Sequence, residues 1–165
     1  MAEKKKKNEA ETIDYKLASK VADRIEITNV KLISSQTYQS PTAAGGTHRL
    51  DININVNFHA NKKDKTLSVF PAFSLIGNLK DSKNQDPDLI IKAEFVLIYK
   101  VSDFTGLDQK CFEAFGKSNG IYNAWPYWRE FVQNTVARMT LPPLTIPVFR
   151  LLRPKKAKRT KKNKV

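Results

Sequence analysis

The chain has 165 residues, 41% of them hydrophobic and 27% charged, and a formal net charge of +13. That length suits one domain with a true core, because folding at this size buries roughly two-thirds of the surface that the unfolded chain exposes. A single cysteine, Cys111, excludes an intramolecular disulfide, and its neighbours Phe112 and Phe115 mark it as a packed thiol in a reducing compartment.

The charge belongs to the ends. From Arg153 onward eight Lys or Arg stand without an acid, and Lys4 to Lys7 stand against Glu3, Glu9 and Glu11. Runs of like charge repel themselves and offer nothing to pack. Residues 1–20 therefore read as a polar, basic tail, 21–152 as the domain and 153–165 as a basic tail open to attraction by nucleic acid or other polyanions. Met1 to Lys7 looks like the charged start of a signal peptide, but no apolar segment comes after it. No run reaches the roughly 18 to 20 apolar residues of a membrane span. A cytoplasmic protein without membrane insertion is expected.

The first predicted strand runs from about Asp23 to Tyr38. Ile25 and Ile27 alternate, and Val30 and Leu32 resume on the opposite parity, which places a β-bulge near Thr28 and Asn29. The segment SPTAAGGTHR, with Gly45 and Gly46, reads as a crossover; it lacks the lysine of a phosphate loop. Next, Leu50, Ile52, Ile54, Val56, Phe58 and Ala60 alternate without error against Asp51, Asn53, Asn55, Asn57 and His59, the period of a half-buried strand. The turn NKKDK leads to a third strand over TLSVFPAFSLIG, where Pro71 argues for an edge or a bulge. The fourth, LIIKAEFVLIYKV, puts Leu89, Ile91, Ala93, Phe95, Leu97, Tyr99 and Val101 on one face. Its other face mixes Lys92, Glu94 and Lys100 with Ile90, Val96 and Ile98.

Beyond the fourth strand the pattern turns helical. LDQKCFEAFG has a cap at Asp108, an apolar set and Gly116 as a stop. A second helix opens with Pro126 in its first turn. Trp128, Phe131, Val132, Thr135, Val136 and Met139 form its apolar stripe, with Arg129, Glu130, Gln133, Asn134 and Arg138 on the other side. Trp125 and Tyr127 lie off that stripe and need another cover. LPPLTIPVFRL comes next: Pro142, Pro143 and Pro147 forbid a helix, while Leu141, Leu144, Ile146, Val148 and Phe149 are too apolar for a solvated loop. Such a strap either encloses a groove against the helix or packs flat and finishes the core. The class is α+β: a four-stranded antiparallel meander followed by two helices packed on one face.

An enzyme would need converging titratable groups. His48 and His59 lie in or beside a strand, Cys111 lies in an apolar helix, and Ser34 and Ser35 have no base nearby. No catalytic residue, metal site or cofactor is expected. A nucleic-acid binder could use the tails and stack bases on Tyr122, Trp125, Tyr127 and Trp128, although only Arg129 lies close to them.

Four antiparallel strands, a short helix and then PYWREFVQNTVARMTLPPLTIPVF resemble the bacterial export chaperone SecB and its relatives. The resemblance runs from about Asp23 to Phe149 and rests on Pro126, Tyr127, Arg129 and Glu130 with Pro142, Pro143, Leu144, Pro147 and Phe149. It implies an ATP-independent holdase, a homodimer or homotetramer, whose partners are unfolded polypeptide clients, with the translocase motor or an antitoxin as further partners. Two departures stand out: the body is mildly basic where export members are acidic, and a basic tail takes the place of the family's last helix. The client groove is expected to use Trp125, Trp128, Leu141, Leu144, Ile146, Val148 and Phe149, with Tyr38 and Pro41 of the crossover. Arg129 and Glu130 are expected to fix the helix start.

Overall fold

The structure, a computed structural model, describes residues 13–41, 48–79 and 86–151. Four long strands form one antiparallel sheet: β1 (Ile25–Gln39), β2 (His48–Asn61), β3 (Thr66–Leu79) and β4 (Leu89–Val101), in the order β1-β4-β3-β2. The expected meander holds for β2, β3 and β4, whereas β1 crosses the end of the sheet to pair with β4. That order is a Greek key. Crossing from β1 to β2 covers three strand spacings, roughly 14 Å, which a tight hairpin cannot span and a connection as long as SPTAAGGT can. The turn between β2 and β3 is an Asx-turn, with the Asn61 side-chain oxygen accepting from the amides of Lys63 and Asp64 at 3.0 and 3.1 Å.

The bulge expected in β1 is present: the register with β4 shifts between Ile27 and Asn29, and the Thr28 hydroxyl donates to the Ile98 carbonyl at 3.0 Å. A second shift lies between Leu32 and Ser34. It falls where the apolar alternation gives way to Ser, Gln and Thr, so no change of parity announces it. Pro71 is neither at an edge nor at a bulge. It lies buried in β3, an inner strand whose pairing with β2 is unbroken and whose pairing with β4 lapses only at Phe70 and Pro71. The missing N–H is accommodated by that gap.

Helices cover the face made by Leu67, Val69, Phe73 and Leu75 of β3 and by the alternating buried residues of β4. Helix α2 (Gln109–Phe115) starts at Asp108, whose carboxylate accepts from the Cys111 amide at 2.9 Å. Gly116 does not stop it. The chain continues through one wide turn, Gly116–Gly120, in which the Ile121 amide reaches back five residues to the Gly116 carbonyl, into α3 (Ile121–Arg138). Both glycines face the sheet: a Cβ on Gly120 would lie 2.8 Å from Val69 Cγ1, and one on Gly116 3.4 Å from Val56 Cγ2. At Gly120 the sheet comes too close for a larger residue, whereas Gly116 leaves ordinary contact distance.

Pro126 accordingly lies well inside α3 and not in its first turn. The carbonyl whose i+4 amide the proline removes is that of Tyr122, an exposed residue, so the loss falls on the solvent side of the helix. The other departure is α1 (Tyr15–Ala22), in a segment that reads as tail. Asp14 caps it by accepting from the amides of Lys16 and Leu17, and Ala18 and Val21 are buried where it packs on α2. An eight-residue helix is unstable alone, and its apolar face, Leu17, Ala18, Val21 and Ala22, is held by the docking on α2. The basic runs before Ile13 and after Leu151, and Gly45 and Gly46 of the crossover, lie outside the described residues.

Candidate functional site: the proline strap on helix α3

Helix α3 ends at Met139. Thr140 then turns the chain with φ +55°, and the Leu141 amide closes the end on the Val136 carbonyl at 3.2 Å. From there the strap runs back along the helix. The Ile146 carbonyl accepts from Arg129 Nε at 2.8 Å, the Pro147 carbonyl accepts from Trp125 Nε1 at 2.8 Å, and the Phe149 ring lies 5.3 Å from the Trp125 ring. Because three prolines cannot donate, the strap forms no ladder, and its carbonyls are met by side chains of the helix.

Burial divides the strap into two sides. Ile146 is 4% exposed, Leu141, Leu144 and Phe149 are half-buried, and Val148 is 56% exposed. Beneath it, Trp125 meets Phe73 edge-on at 5.7 Å, and Trp128 stacks parallel on the same Phe73 at 5.3 Å. Trp128 has no exposed surface, and its indole N–H finds no hydrogen-bond partner among the described residues. Beside the strap, Pro126, Arg129, Glu130, Gln133, Leu144 and Thr145 surround an open hollow of about 320 Å³. At the free edge of the sheet the helix-facing residues Leu50 and Ile52 of β2 remain exposed.

The other flank of α3 is different. Tyr127, half-exposed, touches Phe95 at 6.5 Å, and on the neighbouring edge strand Ile27 and Leu32, which face the same side, are 44% and 47% exposed. Asn123 donates to the Tyr99 hydroxyl at 3.0 Å. Burial pushes the Tyr99 phenol up to about 12, with the hydrogen bond from Asn123 acting in the opposite direction.

The structure thus brings together Trp125, Leu141, Leu144, Ile146 and Phe149, with Val148 on the rim. Trp128 lies below them in the core. Tyr38 does not join them: it stands opposite Ile90 on the far face of the sheet, and Pro41 sits in an exposed turn beyond the end of β1. Arg129 does not pair with Glu130 to fix the helix start. It holds the strap, while Glu130 accepts from Asn134. The signal for this was its i, i+4 spacing from Trp125, which places both donors on one side of the helix. Trp125 and Trp128 are too buried to stack bases; of the four aromatics only Tyr122 and Tyr127 are exposed.

The far face of the sheet carries a shallow basin of about 550 Å³ lined by residues such as Asn53, Asn55, Ser74, Lys92 and Glu94. Its surroundings mix Lys31 and Lys100 with Glu26. Among the described residues no helix is long and apolar enough to cross a membrane.

A solved structure of a SecB-like chaperone from Mycobacterium tuberculosis, in complex with a ChAD peptide from the antitoxin HigA1, superposes on this chain with a TM-score of 0.68. The match covers 82% of this chain and 96% of that one at 20% sequence identity. The fold is SecB-like. A protein of unknown function from Streptococcus agalactiae matches 74% of this chain and 96% of its own at 7% identity and a TM-score of 0.37. No family model matches the chain, and no curated protein does. In the SecB-like frame of this chain, the sheet, α2 and α3 form the scaffold, and the strap is the segment laid over it.

Proposed function

We propose that the protein is an ATP-independent holdase that binds unfolded or non-native polypeptide segments at the strap, without a reaction and without a cofactor. The observation that carries this reading is an extended apolar strap lying on α3 of a SecB-like fold, over Trp125 and Arg129. An unfolded segment offers apolar side chains and unpaired backbone, and such a site meets both: Trp125, Leu144, Val148 and Phe149 for the side chains, and the free edge of β2 for the backbone. The uncovered Ile27, Leu32 and Tyr127 support assembly of cytoplasmic protomers into a dimer or tetramer, since apolar residues on an open strand edge call for cover.

A dedicated antitoxin client is favoured over general export. The solved SecB-like neighbour holds an antitoxin peptide, and the far sheet face here mixes Lys with Glu and Asn, which does not suit docking that depends on an acidic surface. The test is suppression of aggregation of an unfolded model protein without ATP, at low and moderate salt, by the full chain and by one ending at Leu152. Protection by both forms at both salts is expected. Protection that disappears with the tail or with salt would instead make this a polyanion binder, because attraction to phosphates falls steeply with salt. Val148→Ser, which alters an exposed residue, should weaken protection and leave the circular dichroism spectrum unchanged.

A further inference from the structure

We propose that the basic run over residues 153–164 is an RNA-binding segment that holds the phosphate backbone beside the client site, so that the protein carries two separate binding functions. Eight Lys or Arg stand in this run without an acid, and they supply eight units of the formal net charge of +13. Along an extended chain that is one cation for roughly every 5 Å, of the same order as the spacing of phosphates along a nucleic-acid strand. The other basic run differs. Lys4 to Lys7 stand against Glu3, Glu9 and Glu11, so that four cations and three acids leave only +1 there.

The fold decides what this charge can meet. Phe149, the last ring of the strap, lies 5.3 Å from the Trp125 ring, and Arg150 beyond it is exposed. From Phe149 to Arg153 is four residues, so the run begins within about 14 Å of that seat. No carboxylate waits there. Neither the strap over residues 139–151 nor the helical run over residues 114–129 contains Asp or Glu, and the charged residues in these stretches are Lys117, Arg129 and Arg150. Of the acids that flank the helical stretch, Glu113 pairs with Lys117 and Glu130 accepts from Asn134. A run with no counter-charge at its exit keeps its cations for an outside polyanion. Its composition narrows the class: from residue 153 on, only Pro154, Ala157 and Val165 are apolar, so nothing in it can enter a lipid layer, and stable attachment to a membrane takes a second signal. It also has no aromatic residue to stack on bases, so its contacts are with phosphates and carry no sequence preference. Unfolded polypeptides are most abundant where they are made, and the polyanion there is RNA. That choice within nucleic acids rests on the holdase reading; the phosphate chemistry does not. The strap keeps the client site, and the run beyond it takes the RNA.

The test is fluorescence anisotropy of a labelled single-stranded RNA of mixed sequence, about 20 nucleotides long, titrated with the full chain and no client. About six to eight phosphate contacts give a slope of about −4 to −6 in log K against log salt, so affinity should fall by roughly 10²–10³ between about 50 and 200 mM salt. Replacing the eight Lys and Arg of residues 153–164 by Gln should weaken binding at low salt by about a hundredfold or more and bring the slope near −1, with an unchanged Tm to show that the fold is intact. Reversing the order of residues 153–165 keeps every charge and should keep the affinity within about threefold, as should replacing Lys4 to Lys7 by Gln. A full chain that leaves the RNA unbound at low salt, a Gln variant that binds like the wild type, or an equal loss from the Lys4 to Lys7 change overturns the proposal. So does loss of binding on reversal. Tighter binding, per phosphate, to phosphatidylglycerol vesicles would assign the run to a membrane surface, and duplex DNA bound more than about tenfold tighter than RNA would assign it to DNA; either result overturns the assignment to RNA. Because no client is present, these outcomes stand whether or not the protein suppresses aggregation.

Discussion

Adding one methyl group at Gly120 should destabilise the protein, and adding one at Gly116, four residues earlier in the same helical run, should stabilise it. Both positions have helical backbone, so alanine contributes about 1 kcal/mol of helix propensity at either. The difference lies in the sheet below. At Gly120 the new Cβ falls 2.8 Å from Val69 Cγ1, about 1 Å inside normal contact. Val69 is fully buried in an inner strand, and a β-branched side chain there has little rotamer freedom with which to retreat. Overpacking of this kind costs about 1–3 kcal/mol, and the rigid partner puts it toward the upper end, for a net loss of about 1–2 kcal/mol.

At Gly116 the nearest atom is Val56 Cγ2 at 3.4 Å, on a half-buried edge strand, and the helix gain survives largely intact. At roughly 3–5 °C per kcal/mol for a chain of this size, thermal unfolding measured by circular dichroism should give Tm values that differ by about 10 °C in opposite directions from the wild type. Trp125 and Trp128 stand one and two turns beyond Gly120, so a lifted helix would also change the tryptophan emission that the stack on Phe73 sets. Equal Tm values for the two variants, or a Gly120→Ala protein as stable as the wild type, would refute the close approach as the reason for glycine at position 120.

Pro126→Ala restores an amide to the interior of α3 at an exposed position and should raise stability by about 1–3 kcal/mol in chemical unfolding. Thr140→Gly removes a β-branched residue from a left-handed turn and should add about 0.5–1 kcal/mol in the same assay. Tyr99 gives a pH dependence whose sign comes from its burial: the folded phenol titrates at about 12 and the unfolded one near its usual 10, so above pH 10 the unfolded chain loses its proton first. Stability should fall by about 2–3 kcal/mol between pH 10 and 12, and Tyr99→Phe should remove that component; absorbance at 295 nm should show one phenol ionising near pH 12 while the chain is folded.

Strand content is legible because period-2 alternation leaves little room for another answer: β4 occupies Leu89 to Val101 as its pattern predicts, and the stripe from Trp128 to Met139 faces the sheet. The illegible features depend on distances across the fold. Gly116 and Pro126 read as helix punctuation, but the helical run continues through Gly116 to Gly120, where the nearness of Val69 makes glycine the right residue, and exposure at Tyr122 makes a proline tolerable inside a helix. Pro71 reads as an edge or a bulge for a similar reason, since a gap of two residues in one ladder does not show in a single strand's own sequence. The pairing of Tyr38 with Ile90, which puts Tyr38 on the far face away from the strap, depends on a second bulge that no change of parity marks. Arg129 is legible as a charged residue beside the stripe, but its partner is a backbone carbonyl, which has no side-chain identity to read.

The same feature decides how the strap is held. Three prolines remove three of the strap's donors, and the two bonds from the helix act on its carbonyls, which Arg129 and Trp125 reach without regard to which side chains the strap carries. The hold on the strap therefore has two parts, a polar part that ignores sequence and an apolar part concentrated at Ile146 and Phe149. Helix α3 is the common wall: one flank carries this strap, and the other, through Tyr127 and Phe95, borders the uncovered Ile27 and Leu32. Between the flanks lies the Trp128–Phe73 stack, with no exposed surface on Trp128 and an indole N–H that has no partner among the described residues. An orphan buried donor is tolerated only where packing outweighs it. It is this packing, from Gly120 through Trp128, that keeps the helix fixed to the sheet beneath the strap.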